Sequence, residues 1–592
     1  MKLNPLITLT GLLWLPLAQA QVDYNIDIND PVHHSADVNV VLNHNGVEPL
    51  TVQLPNWRTG KYTILPLADG IRDFAATDAN GQPLPWHKSA RGQWQVAAGY
   101  QGPVTISYSV TATELGQRSR HIDDSHAYLD ASGVLMYNPK QRDEALTVSL
   151  QVPPSWRSVS GLPRLGEHQF KAANYDVLID SPIETGIHQS FSFKVDKRDY
   201  ELVIWGEGNY DTTAMVADLK ALAGAAGEYF KGEYPYDYYL FIVHATSGAR
   251  GATEHLNSTV IQRPRWSFAK RKDYLSFIAT AAHELVHTWN VKAYRPQGLI
   301  PYDYQRDNYT DMLWFAEGGT SYLQNMWLLR GGVMTTEEYL ADVARRITEH
   351  RRRPGVAKQT VAQASFDNWI ARGGDYGFNN SVSIYSEGYM ANWSLDLWLQ
   401  QQGQSIAQLH QGLYQQHRIP VGYNASQMQT LINKIANKDS QMWWQQHIEQ
   451  PLNLDFEAML AQVGLTMKWP TKQILDMGVS IDDDNRLTKV ARGGPGWQAG
   501  LTAGDQILAI NGLRFDGKTW PQQWAQLADN QSVTLDLFRR DSLMSVSVTP
   551  TKIADGKLKL VPLAGATAAQ QAAFTAWTGA AFPQANPAAE AE

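Results

Sequence analysis

The chain has 592 residues, 43% of them hydrophobic, with 20 Trp, 26 Tyr, no Cys and a formal net charge of -8. That length and apolar content imply several folded domains, and the lack of cysteine excludes a disulfide framework or a lipid-modified cysteine. The mildly negative charge gives no electrostatic reason to expect nucleic acid or an acidic membrane surface as partner, which leaves peptides and other small solutes.

Residues 1–20 read as a cleavable secretory signal. Lys2 supplies the positive end, Leu6 to Leu17 the apolar core, and Ala18-Gln19-Ala20 the small-x-small cleavage site. The core is shorter than the ~20 residues that span a bilayer and is interrupted by Pro16, so export with cleavage after Ala20 is expected, to the periplasm or outside the cell. No later stretch reads as transmembrane.

From Val22 to about Phe193 short alternating runs are broken by turn signals such as Asn45-Gly46 and Asn80-Gly81, which predicts an all-β domain of sandwich type over 21–199. Its aromatic and proline-rich piece, Leu54 to Tyr62, is expected to pack against a neighbouring domain, with the lining of a cleft as the alternative. Strand-like and helical runs alternate from 200 to 334. There Gly251-Ala252-Thr253-Glu254-His255 precedes the strand-like Ser258 to Gln262. A glycine lets a substrate approach the backbone, and a glutamate there can receive an amine; a solvated surface Glu is the plainer reading.

The stretch Ala281 to Asn290, AAHELVHTWN, carries His283, Glu284 and His287. On a helix two histidines four apart project from one face, the spacing at which two imidazoles share a metal, with Glu284 beside them as base. The helix is expected to start with Asp273 as cap and to close at Pro296. Catalytic zinc takes three protein ligands, so one is missing. Asn308 to Arg330 reads as another helix, where Glu317 lies amid Leu313, Trp314, Phe315 and Ala316, and a carboxylate in such company needs a partner. It is the best third ligand, ahead of Asp307 and Asp311 in a more polar stretch. The region 335–469 reads as helical and contains Tyr385, Tyr389 and, upstream, Tyr376, any of which could hydrogen-bond an oxyanion or be a core aromatic.

Taken together, GATEH, HELVHTWNVK and LWFAEG resemble the glycyl aminopeptidase family of thermolysin-like zinc peptidases, metallopeptidase family sixty-one. The resemblance extends over nearly the whole mature chain, with Leu54 to Tyr62 similar to the family's Leu-Pro-x-Trp-x-Pro-Gly-x-Tyr signature except for Thr59. It implies that His283, His287 and Glu317 bind one zinc ion and that Glu284 is general base and acid. Glu254, with Gly251 and Ala252, would hold the substrate and its free α-amine, and Tyr385 would stabilise the oxyanion. Tyr385 lies in a Tyr-x-Lys-Gly motif whose lysine is here Glu387. The resemblance also suggests small first residues, Gly or Ala.

Further on, Trp497 to Gly512, WQAGLTAGDQILAING, matches the bacterial PDZ pattern, giving a PDZ domain over 470–563. Met477, Gly478, Val479, Ser480 and Ile481 form the expected loop for a peptide C-terminus, with intramolecular packing as the alternative role. The Ala-, Gln- and Pro-rich residues 564–592 are expected to be a flexible tail. The reading is thus a multidomain α+β zinc aminopeptidase acting on peptides with a free N-terminus. Two alternatives stand beside it, a zinc endopeptidase of similar fold and a non-catalytic periplasmic peptide-binding protein.

Overall fold

The computed structural model describes residues 22–28, 30–116, 120–517 and 531–584, so the secretory signal expected at 1–20 lies outside the described residues. The chain forms two compact units, one of residues up to Asn56 together with Pro66–Ile187, the other of Trp57–Leu65 together with residues from His188 onward.

Strict alternation builds the first unit. Ala36, Val38, Val40 and Leu42 on the strand Ser35–His44 are buried, and each lies directly opposite a buried Val110, Tyr108, Ile106 or Val104 of Gly102–Thr111. Such cross-strand pairs on one face are what hold a half-buried sheet in register. This pair belongs to a seven-stranded sheet, accompanied by sheets of four and three strands. Gly46 and Gly81 have φ of 74° and 77°, as the Asn-Gly dipeptides require, but the long strands on either side of each belong to different sheets rather than to one hairpin.

The second unit is built on a five-stranded sheet in the order Gln189–Val195, Arg198–Trp205, Tyr238–Thr246, Ser258–Pro264, Gly251–Glu254. The middle three strands run parallel, and Tyr238–Thr246 is buried at every position but its first, the pattern of a strand covered on both faces. The run Phe191 to Val195, expected in the N-terminal domain, pairs residue for residue with Arg198–Trp205 and belongs to this sheet instead. The segment Trp57–Leu65 is likewise part of this unit.

The helix Arg271–His287 packs on the sheet, starting two residues before the expected cap, with Asp273 in its first turn. It stops at His287 rather than continuing to Pro296. Trp289 stacks on Phe230 at 4.7 Å, and Asn290 turns its amide onto the carbonyls of Phe315 and Ala316, so the chain leaves the helix axis there. The helix predicted over Asn308 to Arg330 is two pieces, Leu313–Ala316 and Gly318–Arg330, and Glu317 occupies the joint. A Cβ on Gly388 would lie 2.5 Å from the Trp314 carbonyl and 2.8 Å from the Gly318 Cα, so glycine is what lets the helix Ser386–Gln400 press against that joint.

The C-terminal region begins with Leu465–Lys468, paired to Lys559–Pro562, and encloses a small β module with its own core around Val490, Leu501, Ile507, Val533 and Leu535. The expectation of a flexible tail from 564 fails over its described part. Thr567 and Gln570 form a capping box, the helix Ala568–Thr578 follows, and Phe574 and Trp577 are fully buried. Trp577 Nε1 donates to Tyr322 Oη at 2.9 Å, and its ring stacks on Trp393. Two large aromatics outweigh a composition rich in Ala and Gln.

Candidate active site

The helical spacing brings the Nε2 atoms of His283 and His287 to 3.1 Å from each other. Glu317 Oε2 lies 3.6 Å from the first and 3.2 Å from the second. A tetrahedral zinc with bonds of ~2.0–2.1 Å needs donor atoms about 3.3 Å apart, so the spacing fits. Protonation points the same way. His287 Nδ1 faces the carbonyl of Asn290 at 2.9 Å, and His283 Nδ1 faces Gln324 Oε1 at 2.8 Å. Both Nδ1 atoms are thus placed to donate, which turns the two Nε2 atoms and the carboxylate oxygen toward one point. Two imidazoles and a largely buried carboxylate so arranged suit a metal cation, and the acceptors on the far side of each ring fix the tautomers it requires.

Electrostatics follow from burial. For Glu317 burial alone would raise the pKa, but His287 and His283 hold the carboxyl well below its usual range. For His287 burial would lower it, and Glu317 more than offsets this. Glu284, 6% exposed, is pushed well above the usual carboxylate range, mainly by burial, with the Glu254 and Glu317 charges adding and those of His283 and Arg58 opposing.

Glu254 ends the edge strand Gly251–Glu254 and is buried. One oxygen each of Glu254 and Glu284 and a ring nitrogen of His287 lie within 4.8 Å of one another. Gly60, at φ 79°, closes over Glu254 so tightly that a Cβ there would collide with the carboxylate. Arg58 Nη2 donates to Thr253 Oγ1 at 2.6 Å and Lys292 Nζ to Thr59 Oγ1 at 3.2 Å, which fixes the turn. The stretch Leu54 to Tyr62, expected mainly to pack against a neighbour, does so at Trp57, among Tyr302, Tyr304 and Trp369, and lines the site at Gly60 and Tyr62.

Tyr62 is the contribution that sequence reading left without a role. Its hydroxyl donates to Glu317 Oε1 at 2.8 Å. Tyr385 stands just before the helix Ser386–Gln400, its ring 6.1 Å from that of His283. The residue is 42% exposed and lines the cavity beside His283 and Glu284, while desolvation at its hydroxyl end and then the carboxylates of Glu317, Glu254 and Glu284 raise its pKa well above 10, so the hydroxyl remains a donor. Of the other tyrosines, Tyr376 is 62% exposed, and Tyr389 is buried against Tyr322 and Arg346. Glu387, where the family has lysine, does not face the cleft; it is buried and bonds His350 Nδ1 at 2.6 Å. A cavity of about 300 Å³ opens beside the centre, lined among others by Gly251, Ala252, His283, Glu284 and Tyr385.

Residues 23–187 match the Peptidase M61 N-terminal domain, residues 276–391 match M61 glycyl aminopeptidase, and residues 486–539 match the PDZ domain. The chain thus carries both M61 domains, the N-terminal one and the glycyl aminopeptidase one. As an M61 enzyme it is a zinc metallopeptidase of the aminopeptidase group, and the donor set described above fits that metal. Its fold is shared with an aminopeptidase N family protein from Idiomarina loihiensis, at 24% identity and a TM-score of 0.88 over 95% of this chain and 100% of that one. More distant similarity extends to a Deinococcus radiodurans M1 zinc metallopeptidase mutant bound to a Tyr-Ser-Ala substrate, with 14% identity and a TM-score of 0.48 over 74% of this chain and 95% of that one. Yeast LTA4 hydrolase in complex with bestatin gives 12% identity and 0.47 over 75% and 70%. A search of curated proteins gives no match.

The PDZ domain of this M61 chain is held to the peptidase by side chains that bond its backbone. Asn379 Nδ2 donates to the Val490 carbonyl at 2.9 Å, Asp375 Oδ1 accepts from Val490 N at 2.8 Å, and Asn379 Oδ1 accepts from Arg492 N at 2.8 Å. In the expected peptide loop, Met477 is buried in the domain core, and Gly478, at φ 70°, accepts from Ala491 N. Val479–Ile481, which includes Ser480, is a strand paired with Leu487–Val490. Residues 518–530, which follow in the same domain, lie outside the described residues.

Proposed function

We propose that this enzyme removes single N-terminal residues, Gly or Ala, from peptides. The observation that carries the reading is the closeness of the Glu254 carboxylate to Glu284 and His287. In a peptide the α-amine and the first carbonyl are separated by one Cα, so an amine anchor must stand within about 5 Å of the base that serves that carbonyl. Glu254 is also a buried carboxylate outside the zinc donor set, and an ammonium group answers its charge.

His283, His287 and Glu317 would hold the zinc, which when bound supplies Lewis acidity and an acidified water. Glu284 takes the proton of the attacking water and carries it to the leaving amine, a task suited to a carboxyl raised by burial. The Tyr385 hydroxyl donates to the developing oxyanion. Gly60 covering Glu254 leaves little depth beyond the amine anchor, which supports a small first residue, as does the glycyl specificity in the matched family's description.

We further infer export through residues 1–20, and a peptide C-terminus as ligand of Met477–Ile481 in the PDZ domain. The test of the main reading compares glycyl and alanyl anilides with their N-acetylated forms, with Glu284→Gln as control. Cleavage confined to the free-amine forms and abolished in the control supports it; equal cleavage of both forms replaces it with an endopeptidase.

A further inference from the structure

The aminopeptidase reading accounts for one end of the edge strand, and the other end carries two arginines that it leaves unused. Arg250 immediately precedes Gly251, and Arg263 follows Gln262, the residue paired with Gly251, so both stand at the Gly251 end of the ladder, away from Glu254. Both line the cavity that also exposes Gly251, Ala252, His283 and Glu284.

Neither arginine is within ion-pair distance of a carboxylate among the described residues. Arg250 is exposed to the cavity, whereas Arg263 is 7% exposed. Arg263 Nη2 donates to the Ser276 carbonyl at 2.7 Å and to Thr280 Oγ1, while its buried Nε has no hydrogen-bond partner. Burial, and then the nearby charge of Arg250, lower the Arg263 pKa to about 10, so Arg263 remains cationic at neutral pH. Two adjacent cations, one of them buried, at the Gly251 end of a cavity whose lining carboxylate, Glu284, is not in ion-pair contact with either, make a site for an anion.

The strand gives the distance. From Glu254 to Gly251 is three residues, about 10 Å at a strand rise of ~3.3 Å. A peptide whose amine rests on Glu254 and whose first carbonyl lies by Glu284 leaves along Ala252 and Gly251, and its third residue reaches the arginines. Resting on the aminopeptidase reading, we propose that Arg250 and Arg263 receive the C-terminal carboxylate of the substrate, so that the enzyme prefers short peptides of about three residues with a free carboxyl end. The shared chemistry is a carboxylate about 10 Å from the α-amine, which an acidic side chain near the third residue would also supply.

The test measures kcat and KM for Ala-Ala-Ala, its C-terminal amide and Ala-Ala-Asp amide, with wild type and Arg250→Gln. Alanyl anilide, which has no carboxylate, is assayed with wild type to establish the aminopeptidase activity separately. The expected result is a KM for Ala-Ala-Ala at least tenfold below that of its amide, with kcat little changed, and loss of that difference in Arg250→Gln. A low KM confined to Ala-Ala-Asp amide would support the carboxylate site and overturn the terminal carboxyl as its source. Equal KM values for all three in an enzyme that cleaves alanyl anilide would overturn the proposal and leave the aminopeptidase reading standing.

Discussion

Tyr62 and Glu317, 255 residues apart in the chain, share a hydrogen bond of 2.8 Å. The tyrosine donates to the glutamate oxygen that does not face the histidines, so it orients the carboxylate and leaves the other oxygen for the metal. Hydrogen bonds that orient a metal-ligating group in this way are worth about 10- to 100-fold in metal affinity. Tyr62→Phe is therefore expected to weaken zinc binding at least tenfold in a chelator competition, with the fold retained. Unchanged affinity would mean that the bond does not orient the ligand.

His410 gives a prediction about pH. It is buried, stacked on Phe315, the second residue before Glu317, and shares a 2.6 Å hydrogen bond with Tyr294. Burial lowers its pKa to about 3 from an ordinary value near 6.5. The folded state thus holds the neutral ring. Its contribution is complete above the unfolded pKa and is lost as pH falls from about 6.5 toward 3, by up to about 1.4 kcal/mol per pH unit. Thermal unfolding of metal-free protein, from pH 7 to pH 4, is expected to show a shallower acid loss in His410→Gln than in wild type.

The buried pair Glu387 and His350 bears on the departure from the family's lysine. A lysine at 387 would put a second cationic group against His350 and Arg353 in the helical core. Reversing a buried charge costs about 3–5 kcal/mol. Glu387→Lys is expected to lower the melting temperature and not to raise activity, so calorimetry together with an anilide assay checks both halves.

Asn379 predicts how firmly the PDZ domain is docked. Removing its amide leaves the Val490 carbonyl and the Arg492 amide without their side-chain partners, at about 1–3 kcal/mol. In Asn379→Ala, tryptic cleavage after the exposed Lys472 should quicken severalfold. An unchanged rate would show that docking does not depend on this contact.

The meeting of His283 and His287 is legible because helical period alone puts them on one face, and Glu317 is legible because a carboxylate amid apolar residues demands a partner. Tyr62 and Gln324 are not, since each is an ordinary polar residue whose place beside the metal donors is set by tertiary packing of distant segments. The segment from Trp57 is the clearest case. Its sequence position puts it with the first β unit, yet Gly60 and Tyr62 belong to the active site of the second. For the C-terminal helix a local signal was present. The Thr567 to Gln570 capping box and the helical spacing of Phe574 and Trp577 both mark it, but the overall composition of the stretch obscures them.

The central claim is that Glu254 holds the substrate amine within reach of Glu284, and one ratio tests it most directly. It is kcat/KM for alanyl anilide over that for acetyl-alanyl anilide, measured in wild type and in Glu254→Gln at equal zinc content. Loss of a charge-assisted bond worth about 1.5–3 kcal/mol predicts a fall of roughly 10- to 100-fold in free-amine cleavage and a collapse of the ratio. A Glu254→Gln enzyme that keeps the wild-type ratio would contradict the account.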